Sequence, residues 1–288
     1  MKKSKLAKVL TVSLAALMVF GLASCGGGSG KVSDKDITVI SREEGSGTRD
    51  AFTELTGVLQ DDVDKTVDTA EISNSTSVVT QSVAGNDAAI GYISLGSLDD
   101  TVKAVKVDGV EATVDNIKSG DYKIQRPFNI VTKGEVKELP ADFIKFIMSK
   151  DGQKIIEDEG YISVKDNAEA YKASGLKGSI TLAGSTSVSP VMEVLADKYK
   201  ELNSGVTIEI QQTGSGAGIQ STTEGVCDIG MASRELKDEE TSQGLKSEEI
   251  ALDGIAVIVN KDNGVEDLSM DQIMKIFTGE ITNWADVK

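Results

Sequence analysis

The 288-residue chain contains no histidine. That removes Ser-His-Asp and Cys-His nucleophilic chemistry and the usual His-bearing zinc sites. No cluster of Asp and Glu suggests another metal site, so neither a metal nor a cofactor is expected. Only two cysteines occur, Cys25 and Cys227, which is too few for a disulfide framework. Aromatic residues make up 4% of the chain, so Val, Ile, Leu and Ala must build the core. Basic residues are outnumbered 30 to 46 by acidic ones, for a net charge of −16. A nucleic-acid partner demands clustered basic groups and is not expected. A small anion remains compatible, because the global charge is screened within roughly 8–10 Å at physiological salt. Beyond the first two dozen residues no segment is apolar enough to span a membrane. Together these deficits lean away from an enzyme.

What is present begins with Lys2, Lys3, Lys5 and Lys8, followed by the apolar stretch from Val9 to Leu22 and the small-residue site Leu22-Ala23-Ser24-Cys25. This is the pattern of an export signal, to be set aside in reasoning about fold. It resembles a bacterial lipoprotein signal over residues 1–24, which implies lipidation of Cys25. Residues 25–33, with Gly26-Gly27-Gly28-Ser29-Gly30, then read as a flexible tether. The expectation is an exported chain held at the outer face of a membrane by its lipid alone. Cys227 would remain as a buried, inert thiol.

The remainder, roughly 260 residues, suits one large domain or two modest ones. Strand-like runs (Ile37–Ile40, Ala89–Ile93, Phe128–Val131, Ile180–Leu182, Val206–Ile210, Ile255–Val259) alternate with helix-like ones (Thr48–Leu59, Ser75–Ala84, Pro140–Met148, Met192–Leu202, Leu268–Phe277). The alternation implies an α/β architecture. The β-branched run Ile255–Val259 suggests a strand buried on both faces or crossing between layers. Lys165–Lys177 is polar, carries no strand pattern and reads as a linker.

Three turns share one chemistry. Ser41-Arg42-Glu43-Glu44-Gly45-Ser46-Gly47-Thr48-Arg49, Ala183-Gly184-Ser185-Thr186-Ser187-Val188-Ser189-Pro190 and Thr213-Gly214-Ser215-Gly216-Ala217-Gly218 each follow an apolar run and precede a helical pattern. Such turns present backbone N–H groups and hydroxyls at the positive end of a helix, a ready site for an oxyanion. Each Ser or Thr taken singly is equally a helix cap. Three such turns in one chain favour the anion.

With these residues in view, the chain resembles the phosphate-binding proteins of bacterial phosphate ABC transporters. Gly178–Lys288 is similar to the N-terminal part of that family, through Ala183–Pro190, Thr213–Ile219, Asp228–Leu236, Ala251–Asn260 and Phe277–Val287. Ile37–Val164 is similar to the rest, through Ser41–Thr48, Ala84–Leu98, Arg126–Lys133 and Gly152–Val164. The two parts stand in reversed order, so the resemblance implies a circularly permuted two-lobed periplasmic-binding-protein-like fold (type II). One lobe would be residues 34–125 plus 260–288. The other, 126–259, would be continuous and contain the linker 165–177 that joins the ancestral ends. Hinge crossings are expected near Gln125–Phe128 and Val257–Asn260. The implied function is capture of inorganic phosphate between the lobes by a monomer that delivers it to ABC permease subunits.

The resemblance also implies residue roles. Arg42 would supply a forked charged donor, and Ser46, Gly47 and Thr48 hydroxyls and N–H groups. Glu44 falls where the family has an acid that orients the arginine. Thr186 and Ser187, with Ser185 beside them, match the first donor turn of the other lobe, and Ser215 matches the second. Arg49 and Arg234 are as readily structural or solvated as supporting. Ser233 occupies a position where well-known members carry an aspartate that accepts the proton of protonated phosphate, with Glu235 the nearby acid that could compensate. A serine lacks the charge that repels a fully deprotonated anion. Sulfate, molybdate or tungstate therefore stands as the alternative ligand, and a phosphate sensor or surface protein as the alternative role.

Overall fold

The computed structural model describes residues 34–287; the expected signal, Cys25, the glycine tether and Lys288 lie outside the described residues. One sheet dominates, with strands in the order Val206–Gln212, Gly178–Gly184, Ile229–Ala232, Gln125–Lys133, Leu245–Asn260, Ala89–Ser94, Thr38–Arg42 and Glu71–Ser73. Pairing is parallel towards both ends of this path and antiparallel around its centre. Parallel ends need helical crossovers, which the alternating strand and helix runs supply.

The 16-residue strand Leu245–Asn260 joins two halves of the sheet. Leu245–Gly254 pairs with Gln125–Lys133, whereas Ile255–Val259 pairs with Ala89–Ser94. The exchange of partners thus falls at Gly254–Ile255, ahead of the Val257–Asn260 crossing expected from sequence. A Cβ on Gly254 would lie 2.3 Å from Ile117 Cδ1, so the side chain of Ile117 packs directly over the backbone at the exchange. Along the β-branched run the period of two is plain. Ile255, Val257 and Val259 enter a core with Phe52, Tyr92 and Phe277, while Ala256 and Ile258 enter the opposite core with Val79 and Val83. Burial on both faces is why this run shows no polar alternation.

The first half of the fold draws its main core from residues 39–124 and 255–284, joined by Ile162. The second draws on Phe128 through Ala251, with Tyr199, Phe143 and Phe146 at its centre. Serine caps begin several helices: Ser46, Ser75, Ser149 and Ser269 each accept a backbone N–H three residues on, satisfying donors that a helix start leaves open.

The linker 165–177 has no helix or strand but is pinned in place. The Asp142 carboxylate accepts bonds from the hydroxyls of Tyr171, Ser174 and Tyr199 at 2.5, 2.7 and 2.7 Å. Tyr171 N–H donates to Asp151, and Lys150 N–H to the Glu169 carbonyl. Burial acts to raise the Asp142 pKa, but these hydroxyl bonds outweigh it and hold the carboxyl below its ordinary range.

Residues near the two ends of the described chain meet. Ile37 N–H donates to Thr282 O at 2.8 Å and Trp284 N–H to Lys35 O at 3.0 Å. Asn283 Nδ2 donates to Asp36 Oδ1 at 2.9 Å. Trp284 is buried, with its indole N–H on the Ala88 carbonyl. No helix among the described residues is long and apolar enough to cross a membrane.

Candidate anion-binding site

Five strands deliver their C-terminal ends to one place, the position where ligands gather in α/β sheets. In the first half, Thr38–Arg42 ends on Arg42, and its parallel neighbour Glu71–Ser73 leads into the helix Thr76–Gly85. In the second half, the parallel strands Gly178–Gly184, Val206–Gln212 and Ile229–Ala232 lead to Ser185, Ser215 and Ser233. Gly184 has φ 144° and a Cβ there would strike the Met231 carbonyl at 2.2 Å, so only glycine permits this approach of the two strand ends.

Four helices, Gly47–Thr56, Thr76–Gly85, Ser189–Leu202 and Ser215–Glu224, begin around the same point. Their starts combine partial positive charge with open N–H groups.

The hydroxyls bond to one another across the two halves. Thr48 Oγ1 lies 2.9 Å from Ser187 Oγ. Thr76 Oγ1 lies 3.1 Å from Ser187 Oγ and 3.3 Å from Thr186 Oγ1. The Ser185 hydroxyl accepts from the N–H groups of Ser187 and Val188, so its own hydrogen is directed to Ser233 Oγ at 3.0 Å. Ser233 N–H donates to Ser215 Oγ at 3.1 Å. Gly216 N–H reaches across to Gly45 O at 2.9 Å. Arg42, Ser46, Gly47, Thr48, Ser185, Thr186, Ser187, Ser215 and Ser233 are all buried. The structure thus brings Thr48, Ser185, Thr186, Ser187, Ser215 and Ser233 together, with Gly47 packed against Ser215 and Ser233 and Ser46 capping the helix that carries Gly47 and Thr48.

Arg42 is 2% exposed. Its Nε and Nη2 form a two-pronged pair with Glu43 at 2.8 Å each, and its Nη1 reaches Thr76 Oγ1 at 3.4 Å. The acid that orients the arginine is thus Glu43, one residue before the Glu44 expected from the family pattern. The backbone explains the difference. Glu43 N–H still bonds to Ser73 O, continuing the strand direction, whereas Glu44 is exposed and lines a neighbouring cavity of about 940 Å³. Behind Arg42, the Tyr92 hydroxyl accepts its N–H at 3.1 Å, and Tyr92 stacks on Phe52 with ring centres 4.0 Å apart.

Thr76 is the member that sequence reasoning missed. Its only signal, a Ser/Thr helix start, is the same as that of any capped helix. Arg49 proves to be a brace, bonding Asp64 and the Arg42 carbonyl. Arg234 lies just outside the hydroxyl cluster, held by Asp50 and Glu240. Burial opposes its charge, but Glu240 and Asp50 more than compensate and raise its pKa. Cys227 is buried beside Thr222, and burial pushes its thiol pKa up.

The arrangement surrounds its centre with hydroxyls, helix-start N–H groups and one guanidinium. The adjacent carboxylate of Glu43 is already engaged by that guanidinium. Such a donor set suits a small tetrahedral oxyanion stripped of water.

Residues 28–151 and 169–288 match the family described as PBP superfamily domain. The chain is 52% identical over 294 residues to phosphate-binding protein PstS 2 of Streptococcus agalactiae serotype V, covering 100% of this chain and 99% of that protein. A solved phosphate-binding protein of a phosphate ABC transporter from Streptococcus pneumoniae TIGR4 superposes with a TM-score of 0.72 at 49% identity, over 88% of this chain and 100% of the other. The phosphate-binding protein PstS of Bacillus subtilis is 36% identical over 128 residues, which is 43% of each chain.

Proposed function

The chain belongs to the PBP superfamily and to the phosphate-binding proteins within it, and on that premise we propose that it captures inorganic phosphate and hands it to the permease of an ABC transporter. The observation that carries this reading is the convergence of four helix starts, Arg42 and eight buried hydroxyls from both halves on one point. Phosphate is held by Arg42, Ser46, Gly47, Thr48 and Thr76 on one side and by Ser185, Thr186, Ser187, Ser215 and Ser233 on the other. Closure of the two halves expels water and strengthens each charge-assisted bond. The protein binds its ligand and leaves it chemically unchanged. Cys25 carries the lipid that keeps the monomer beside its permease.

The chain order is read as a rotation of the family's usual one. Two observations support this: residues 35–37 lie against 282–284, and the match to the Bacillus protein covers 43% of each chain. A collinear match between permuted chains can cover only one of their two segments.

A second reading, another tetrahedral oxyanion such as sulfate, draws support from Ser233, a buried hydroxyl bonded to Ser185 and Ser215 that brings no negative charge of its own to accept a ligand proton. Competition calorimetry with phosphate, sulfate and molybdate across pH tests both. One-to-one phosphate binding that sulfate does not displace is expected; strong sulfate binding without phosphate heat would replace the first reading by the second.

A further inference from the structure

Arg234 follows the strand Ile229–Ala232, and Asn129 Nδ2 donates to its carbonyl at 3.0 Å, which anchors its backbone in the second half. Its guanidinium is gripped by Glu240 through two parallel bonds of 2.8 Å, and Nη1 also donates to the Glu235 carbonyl. Glu240 is itself held by the Lys237 N–H at 2.8 Å. The arginine is thereby fixed with Nε pointing outward from its own half. That Nε donates to Asp50 Oδ2 at 2.9 Å. Asp50 belongs to the first half and sits in the first turn of Gly47–Thr56, the helix that carries Gly47 and Thr48. Among the described residues, the ion pairs of Asp50 with Arg234 and, at 4.0 Å, Lys237 are the ones that join the two halves away from the strand exchange.

We propose that Asp50, Arg234 and Glu240 form a clasp that locks the donor helix Gly47–Thr56 against the opposite half and so sets how slowly a bound anion leaves. The proposal rests on the phosphate reading above and adds positioning residues that touch no ligand. Asp50 is the informative member because the sign of its effect separates the clasp from simple electrostatics. Removing a negative charge near an anion site should tighten binding if field alone acts. Removing one jaw of a clasp should loosen it.

The test is the release rate of radiolabelled inorganic phosphate from the full chain, chased with excess unlabelled phosphate. It is run with wild type, Asp50→Asn, Asp50→Glu and Glu240→Gln, each verified as folded by its melting curve. Asp50→Asn should release phosphate about five- to tenfold faster with little change in association, as expected when one partly buried pair is lost. Glu240→Gln should act in the same direction, and Asp50→Glu should recover part of the loss. Unchanged or slower release in Asp50→Asn overturns the clasp. Small-angle scattering of the ligand-free proteins supplies a readout independent of phosphate. Asp50→Asn should be more expanded than wild type, and an equal radius overturns the clasp even if wild type proves not to bind phosphate, the result that would sink the functional reading alone.

Discussion

Thr48 Oγ1 and Ser187 Oγ lie 2.9 Å apart although 139 residues separate them along the chain. Each stands at the start of a different helix in a different half of the sheet, so their contact reports how closely the two donor sets are brought together.

Arg42 is the one guanidinium inside that contact region, and Glu43 holds its orientation. Replacing it by alanine removes the donor and leaves Glu43 unpaired beside a buried anion. Arg42→Ala is expected to cost about 3–5 kcal/mol of phosphate affinity, read by calorimetry. Near-normal binding would remove Arg42 from the site.

Gly47 has no room for a side chain: an added Cβ would lie 2.4 Å from Ser215 Oγ and 2.8 Å from Ser233 Oγ. Its helical backbone nevertheless accepts alanine readily. Gly47→Ala should weaken phosphate binding by about tenfold or more through overpacking while the melting temperature falls only slightly, because the helix gain offsets part of the strain. A large fall in melting temperature would point to a folding defect instead.

Ser233 offers a buried, uncharged oxygen beside the hydroxyls of Ser185 and Ser215. Ser233→Asp introduces a carboxylate that accepts the proton of protonated phosphate and repels sulfate. The expected outcome is a drop in sulfate competition of about tenfold or more, since juxtaposed like charges cost several kcal/mol. Equal losses for the two anions in competition calorimetry would count against a selective role for this position.

Asp253 lies buried at the strand exchange, accepting from Arg126 and from Ser94 Oγ. Burial pushes its carboxyl up to about 6, against the opposing pull of Arg126 and Ser94. Its folded pKa is thus above the unfolded value, so between pH 4 and 6 the folded state holds more protons. The contribution of Asp253 to stability is fullest below about pH 4, declines as pH rises, and levels off above about pH 6. The difference in melting temperature between wild type and Asp253→Asn should follow that course, and a difference independent of pH would refute it.

Asp142 joins the linker to the second half through the hydroxyls of Tyr171, Ser174 and Tyr199, which are not among the candidate site residues. Asp142→Ala should lower stability by about 1–3 kcal/mol and leave phosphate affinity unchanged. Because its pKa is depressed, the stabilisation it provides is present above the usual carboxylate range and fades as pH falls through the folded value. Denaturant titrations at neutral and acid pH check both points.

Much of this site is legible in the sequence because strand, glycine turn and hydroxyl cap are local signals. Arg42, Ser46, Thr48, Ser185–Ser187 and Ser215 follow from them. Thr76 does not, since only the parallel pairing of Glu71–Ser73 with Thr38–Arg42 carries it to the arginine. Glu43 and Glu44 cannot be told apart by type, and the backbone direction after the strand decides between them. Likewise Leu245–Gly254 contains Lys246, Glu248 and Glu249, and its strand state comes from distant pairing with Gln125–Lys133. The buried run Ile255–Val259 announces itself by composition, whereas the point where it changes partners does not.

The meeting of Trp284 with Lys35 and Ala88 also bears on how the chain assembles as it emerges, N-terminus first. The core between Phe128 and Ala251 is drawn from one continuous stretch and is complete before the last residues appear. The other core needs Ile255, Phe277 and Trp284 as well as Val39 and Phe52. Contacts of such sequence separation form slowly, because a long loop must close before they are rewarded. The expected order is therefore middle first, with the segment bearing Arg42 waiting for the C-terminal region, and with it the competence to bind.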